Sequence, residues 1–284
     1  MLFRSQRYNF GTWLGGSTYF GDLNTNTSFK YTRPAGGLYV RYNFDTRICA
    51  KASFSYGGVK GMDSASDNYY QQQRNLSFYS SIWEISAQGE FNFMDYSSSK
   101  SNMFYTPYFL LGAGIFGFDP HAVYGNASYR LQPIGTEGQG YPEYPTAAKY
   151  KLTKPFIVVG GGFKLRVTKT FSMFGEAAVR KTYTDYLDDD GGLYPDHLVL
   201  YNEAGPLAVN LSDRSLELGG QPVGAAGKYR ADNKRDDYFF FETGAGAGAF
   251  GAHASFNVMV RLKTSLPGLL STQSRAKYPR RSNW

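Results

Sequence analysis

Along SSIWEISAQGEFNF (80–93), apolar and polar residues alternate almost without interruption. Ser81, Trp83, Ile85, Ala87, Gly89, Phe91 and Phe93 fall on one side, and Ser80, Ile82, Glu84, Ser86, Gln88, Glu90 and Asn92 on the other. Successive side chains of a strand point to opposite faces, so the segment predicts a long strand with one aromatic face and one face that carries carboxylates. The same parity recurs. Leu38, Val40, Tyr42 and Phe44 oppose Tyr39, Arg41 and Asn43, while Ile48, Ala50, Ala52, Phe54 and Tyr56 oppose Cys49, Lys51, Ser53 and Ser55. Ile157, Val159, Phe163, Leu165 and Val167 oppose Lys164 and Arg166, and Phe171, Met173, Ala177 and Val179 oppose Ser172, Glu176 and Arg180.

Eight such stretches are predicted, at 7–22, 34–45, 47–61, 76–95, 103–120, 150–168, 170–187 and 238–262. The fifth is apolar on both faces, and the eighth changes phase near Gly248-Ala249-Phe250-Gly251, where a bulge is expected. Short connections (44–47, 96–102, 168–169) alternate with long ones (22–32, 62–75, 121–149, 188–237). That alternation is the plan of an outer-membrane barrel, with short periplasmic turns and long extracellular loops. The expectation is an all-β fold, an eight-stranded antiparallel transmembrane β-barrel over 7–263 with both termini in the periplasm.

Eight strands enclose a space just wide enough for side chains. The inward set Arg41, Lys51, Glu84, Glu90, Lys164, Arg166, Glu176 and Arg180 must then pair within it, giving a plugged lumen rather than a pore. A lipocalin-like barrel or a sandwich would turn the apolar face inward. Here aromatics at strand ends (Phe10, Phe20, Phe44, Phe93) suit girdles at two membrane interfaces, which favours the membrane barrel.

Composition agrees. Aromatics make up 17% of 284 residues, with 24 Tyr, 22 Phe and 33 Gly, yet only 42% of the chain is hydrophobic. No run approaches the roughly 18 apolar residues of a transmembrane helix. The net charge of +7 comes from scattered bases, which argues against nucleic acid. The N-terminus MLFRSQRYNF has no apolar leader, so a signal peptide upstream and maturation near Ser5-Gln6 are expected, with 1–6 a remnant. Residues 264–284 form a basic periplasmic tail whose Arg275, Lys277, Arg280 and Arg281 are expected to meet a partner or an anionic surface.

Candidate chemistry is thin. GAGAGAFG (244–251) lies in a strand with no helix after it, so a dinucleotide loop lacks its context. DYLDDDGGLYPD (185–196) departs from calcium-loop spacing and reads as an acidic loop. His121, His197 and His253 are the only histidines, and a rim site would use His121 or His197 with Asp119 or Asp196. No nucleophile motif accompanies them, so no enzyme, cofactor, metal or small-molecule substrate is expected. Cys49, the single cysteine, faces inward near the short-turn end. It is either a small buried side chain or a thiol contact for a partner.

GGSTYFGDLN (15–24), RPAGGLYVRYNF (33–44), QQRNLSFYSSIWEISAQGEFNF (72–93), QPIGTEGQG (132–140), RKTYTDYLDD (180–189) and LSDRS (211–215) together resemble the PorG family. Its members are small outer-membrane barrels of the Bacteroidota type IX protein secretion system. The resemblance implies a non-enzymatic structural component that anchors the periplasmic ring of PorK and PorN. It carries over no catalytic residue. An autonomous small barrel, either a minor pore or a lipid-modifying enzyme in contact with outer-membrane lipid, is the alternative. Several of these phrases fall in long loops, where Gly and Asp favour ordered turns. Arg74, Glu137, Asp185, Asp188 and Arg214 are expected to form a polar network capping the barrel.

Overall fold

A computed structural model describes residues 8–24, 29–96, 103–168, 171–219, 222–228, 230 and 237–248, with the backbone alone for 242–248. Among the described residues nine strands form: β1 (Tyr8–Phe20), β2 (Arg33–Asn43), β3 (Ile48–Met62), β4 (Ser77–Asn92), β5 (Tyr105–Tyr124), β6 (Ala127–Arg130), β7 (Thr153–Arg166), β8 (Ser172–Thr182) and β9 (Tyr238–Gly248). Eight of them close a ring of antiparallel pairs, β4 joining β5, β5 joining β7, and β9 returning to β1. The fold is therefore an all-β closed barrel, and within the eight-stranded ring each described strand has a partner on both sides. Among the described residues no helix is long and apolar enough to cross a membrane, a finding silent about strands.

The apolar parity faces out. Leu38, Ile85, Leu111 and Phe163 are each more than half exposed on the outer wall. Tyr8, Tyr42, Phe44, Phe91, Phe93, Phe104 and Tyr105 ring the short-turn end in edge-to-face contacts such as Tyr42–Phe44 at 4.9 Å, and Phe10 stacks on Tyr8. Phe20, Phe29 and Phe240 cluster at the long-loop end.

Inside, the rows stack in layers. Arg41, Lys51, Glu90, Lys164 and Glu176 lie toward the short turns and are all buried. Glu84 and Arg180 follow, then an aromatic layer of Phe116, Phe156 and Phe239 with Ile82 and Val158. That layer explains why the fifth predicted strand is apolar on both faces: β5 contributes Phe116 and Phe118 inward. Gly114, next to Phe116 in the same inward row, leaves room for Phe156, whose ring would stand 2.8 Å from a Cβ there.

Two boundaries differ from the sequence expectation. β5 continues through the residues expected as loop to Tyr124 and pairs with β6, because a strand leaving the ring needs a new partner for its backbone groups. β8 ends at Thr182, not near residue 187, because the chain turns inward to Asp237: Asp237 N–H donates to Thr184 O at 2.9 Å and Leu187 N–H to the Asp237 carboxylate at 2.9 Å. A register shift in β9 falls between Thr243 and Ala245, while residues 249–251 of the expected bulge lie outside the described residues. Residues 1–7 and 249–284 lie outside the described residues, and with them the Ser5-Gln6 site, His253, Arg275, Lys277, Arg280 and Arg281.

Leu111 sits outward in mid-strand, opposite Gly89 and Val159. Leu111→Arg is expected to lower the unfolding free energy in phosphatidylcholine vesicles by about 2–4 kcal/mol, read from the urea midpoint. An unchanged midpoint would show that this face does not lie in lipid.

Candidate functional site

Glu90 is the hub of the lumen. Its carboxylate meets Arg41 at 2.7 Å, Lys164 at 2.6 Å and Lys51 at 3.6 Å. Lys51 also reaches Glu176 at 2.6 Å, where the Tyr108 hydroxyl donates at 2.6 Å. One layer higher, the Arg180 guanidinium takes both oxygens of Glu84 at 3.1 Å, and Ser55 donates to Glu84 at 3.0 Å. Aromatic faces cover the cations: Lys164 lies 4.4 Å from the Tyr108 ring centre, Arg180 4.6 Å from Phe241, and Arg41 4.9 Å from Tyr39. A gap of about 10 Å³ between Lys51, Gln88, Glu176 and Arg180 has room for about one water. Seven of the eight predicted lumen charges thus meet in these two groups. Arg166 shares their parity but sits half-buried at the short-turn rim.

Cys49 is 2% exposed and turned into the barrel, where Asn92 Nδ2 approaches its sulfur at 3.6 Å. Its burial corrects the expectation of a thiol contact for a partner: the side chain fills the lumen.

The long loops fold into a second buried network. Helix α1 (Tyr69–Arg74) is capped by the Asn68 side chain, which accepts from Tyr70 N–H at 2.9 Å, and ends on left-handed Asn75 (φ 57°). This short helix delivers Arg74, fully buried, to the centre. Its guanidinium donates to both oxygens of Asp63 at 2.8 Å, to Asp190 at 2.8 Å, to the Asp22 carbonyl at 3.3 Å and to the Arg230 carbonyl. Arg230 in turn donates to Thr136 Oγ1 at 3.0 Å, to the Asp189 carbonyl at 2.7 Å and to the Ser212 carbonyl at 3.2 Å. It stands 3.5 Å from Glu137, which also accepts from Gly191 and Gly192 N–H at 3.2 and 3.0 Å. Two arginines therefore tie all four long loops together.

Carboxylates exceed these cations. Asp22, Asp63, Glu137, Asp188, Asp189, Asp190 and Asp237 are all buried around Arg74 and Arg230. Tyr19 lies between Asp188 and Asp237, at 2.5 and 3.0 Å from its hydroxyl. That hydroxyl has one proton, so it can donate to only one of the two. The other contact requires a protonated carboxyl that donates back. Gly21 permits this approach, since a Cβ there would stand 2.1 Å from Asp237 Oδ1. Burial, with neighbouring carboxylates adding, pushes Asp188 and Asp237 well above the usual carboxylate range. Burial raises Glu137 to about 8 against the pull of Arg230, and Asp189 to about 6.

Of the predicted cap residues, Arg74, Glu137 and Asp188 meet in this network. Asp185 stands half-buried, its carbonyl packed beside Gly191. Arg214 does not join: it takes Glu217 at 2.7 and 2.9 Å near the surface and donates to Ser77 at 2.9 Å. Asp63, Asp189, Asp190, Arg230, Asp237 and Tyr19 belong to the network without being expected from the sequence. The acid run 185–190 is conspicuous, but nothing local marks a single Arg230 as its counter-ion. His121 lies 3.9 Å from Asp119, which pairs with Arg130, and His197 lies 3.9 Å from Asp213, which Ser215 and Gly224 already occupy. Among the described residues neither ring is bonded to a serine hydroxyl, and no cluster has metal-ligand geometry.

Residues 1–199 match a family profile described as Domain of unknown function (DUF6089). The chain belongs to this family. The DUF6089 match takes in β1–β8 and the acid run, while Arg230, Asp237 and β9 lie beyond it. A search of curated proteins finds no match. Among solved structures, this DUF6089 chain is similar to Ail, the attachment invasion locus protein of Yersinia pestis, in complex with the heparin analogue sucrose octasulfate, at 12% identity over 85% of this chain and 96% of that one, with a TM-score of 0.38. It is also similar to Neisserial surface protein A (9%, 87% and 98%, TM-score 0.40) and to the N-terminal β-barrel domain of Pseudomonas aeruginosa OprF (10%, 87% and 100%, TM-score 0.33).

Two outcomes follow from this geometry. Glu90→Ala leaves Arg41, Lys51 and Lys164 facing one another, and is expected to destabilise the barrel by about 3–5 kcal/mol in a urea titration. In the cap, the folded state binds more protons than the unfolded one, so its stability is full below the ordinary carboxylate pKa of about 4 and falls as pH rises through about 6 and about 8. Limited proteolysis of the long loops is expected to be slower near about pH 5 than near about pH 8.5, and Asp188→Asn to flatten the difference. Equal cleavage rates at both pH values would refute the shared-proton arrangement.

Proposed function

We propose that this chain is a non-enzymatic structural barrel of the outer membrane, acting in the type IX secretion system as an anchor for the periplasmic PorK and PorN ring. The outward apolar wall between two aromatic girdles needs an apolar medium around it, and the side chains packed in the lumen among the described residues argue against a pore. The short turns are then periplasmic and the cap extracellular.

One observation carries the secretion reading. The phrases by which the sequence resembles PorG supply the residues that hold the molecule together. GGSTYFGDLN supplies Tyr19 and Asp22, QQRNLSFYSSIWEISAQGEFNF supplies Arg74, Glu84 and Glu90, QPIGTEGQG supplies Thr136 and Glu137, and RKTYTDYLDD supplies Arg180, Asp188 and Asp189. Phrases that are far apart in sequence converge on two buried networks, so the likeness follows one architecture and is not scattered over exposed loops. In this reading the turns expected at 44–47, 96–102 and 168–169, with the basic tail expected at 264–284, make the contact with the periplasmic ring.

A tagged copy extracted from outer membranes in mild detergent is expected to bring down PorK and PorN, and its deletion to impair cargo export. Recovery of the barrel alone, with export intact in the deletion strain, would leave an autonomous barrel instead.

A further inference from the structure

The short-turn end carries a surface that is built more firmly than a hairpin requires. In turn 44–47 the Asp45 carboxylate accepts from the N–H groups of Arg47 and Ile48, both at 2.7 Å, so the turn folds onto its own aspartate. The Arg47 side chain is then directed at the neighbouring segment 93–96, where its Nε donates to Asp95 at 2.7 Å. Thr46 Oγ1 donates to the same Asp95 oxygen at 3.2 Å. Backbone bonds repeat the link: Tyr96 N–H donates to Thr46 O at 3.2 Å, and Asn92 N–H to Arg47 O at 2.7 Å. Two hairpins are thereby cross-braced at their tips.

The brace continues into the lumen. Asn92 Nδ2 donates to Thr46 O at 3.1 Å, and the same side chain accepts from Lys164 at 2.8 Å, whose ammonium holds Glu90. On the other side Tyr96 meets the side chain of Ser172, which lies in the inward row of β8 with Phe174 and Glu176. Segment 93–96 therefore folds across the mouth of the barrel, under the lumen and away from the outer wall. Arg47 stays half exposed on this floor, 51% of its side chain open. The brace uses only its Nε, and among the described residues no hydrogen bond engages either Nη atom. Both acids nearby are already engaged, Asp45 by its own turn and Asp95 by Arg47 and Thr46. An arginine pinned through Nε keeps the planar end of its fork open for two oxygens. Holding it beforehand also removes rotamer entropy that a free side chain would lose on binding.

We propose that Arg47, pinned by Asp95 on the cross-braced tips 44–47 and 93–96, is the docking point for a carboxylate side chain of a periplasmic protein. The site rests on the reading of the short turns as a periplasmic contact face, and it narrows that face to one arginine and its partner to a segment that presents Asp or Glu. A carboxylate takes the two Nη donors in one plane, the geometry in which charged hydrogen bonds are strongest. A phospholipid phosphate has matching oxygens, but lipid lies against the outer wall, whereas this floor closes the lumen.

The test places the photoreactive residue p-benzoylphenylalanine at Met94 of the full chain, and separately at Val167 beside the third short turn. Native outer membranes are irradiated, and the cross-linked peptide is identified by mass spectrometry. Folding of each variant is scored by the gel mobility of the barrel, with R47Q serving if R47E does not fold. Met94 is expected to cross-link a periplasmic protein beside an Asp or Glu. R47E should lower that yield about tenfold, and R47K, which keeps the charge without the fork, should restore it only in part. Changing the partner's acid to Arg should recover the yield in the R47E background. A yield indifferent to R47E, a swap that recovers nothing, or a protein cross-link from Val167 alone overturns the docking point and leaves the short-turn face standing. A cross-link from Met94 to phospholipid alone assigns the arginine to a headgroup and overturns the protein partner. No protein cross-link from either position overturns the short-turn contact face and the docking point with it.

Discussion

A closed ring of eight strands leaves an interior that only side chains can fill, and this chain fills it with charge. Everything else follows from that. Glu90 faces Arg41, Lys51 and Lys164 where water is excluded, so each cation needs an acid in contact and each acid needs its cations. Aromatic faces on Tyr39, Tyr108 and Phe241 cover the cations' remaining surface. Because the polar rows are used up inside, the apolar rows must face outward, and the barrel is stable only where its surroundings are apolar too. The same packing fills the lumen among the described residues.

The cap solves the opposite problem. Seven buried carboxylates surround two arginines, so charge pairing alone does not neutralise them. Hydroxyls and shared protons take up the remainder. Tyr19 stands between Asp188 and Asp237, while Thr136 and Tyr150 both donate to Asp189. Such an arrangement depends on protonation. The aromatic layer of Phe116, Phe156 and Phe239 lies between the two polar regions.

The barrel is legible in the sequence because period-two alternation records which face each residue takes, and loop lengths record which end each connection occupies. Alternation alone places Arg41, Lys51, Glu84, Glu90, Lys164, Glu176 and Arg180 on one interior wall. Cap pairings are only partly legible because loops have no period. Arg74 and Glu137 stand out by their neighbours, whereas Arg230 reaches Thr136 across 94 positions, with nothing local to announce it. Arg214 shows the reverse failure: a charged residue in a suggestive phrase that pairs with Glu217 three positions away. Strand ends err for the same reason, since β8 is cut short by a tertiary contact to Asp237 that no propensity encodes.

Asp237 joins the two regions. It stands one residue before β9, the strand that closes the ring against β1, and it bonds Tyr19 near the end of β1. It also holds Thr184 and Leu187 just beyond β8. The three strands at the seam are therefore fixed at their long-loop ends by the group that anchors the cap. Bringing β9 back to β1 closes nearly the whole chain into a loop, the entropically costliest pairing in the ring. A buried latch at that seam adds its contacts once closure has occurred, so ordering the cap and closing the barrel favour one another. The cap is thus built into the barrel's closure, and the longest loop, 183–237, is long because it must supply Asp188–Asp190, Arg230 and Asp237 to one place before β9 begins.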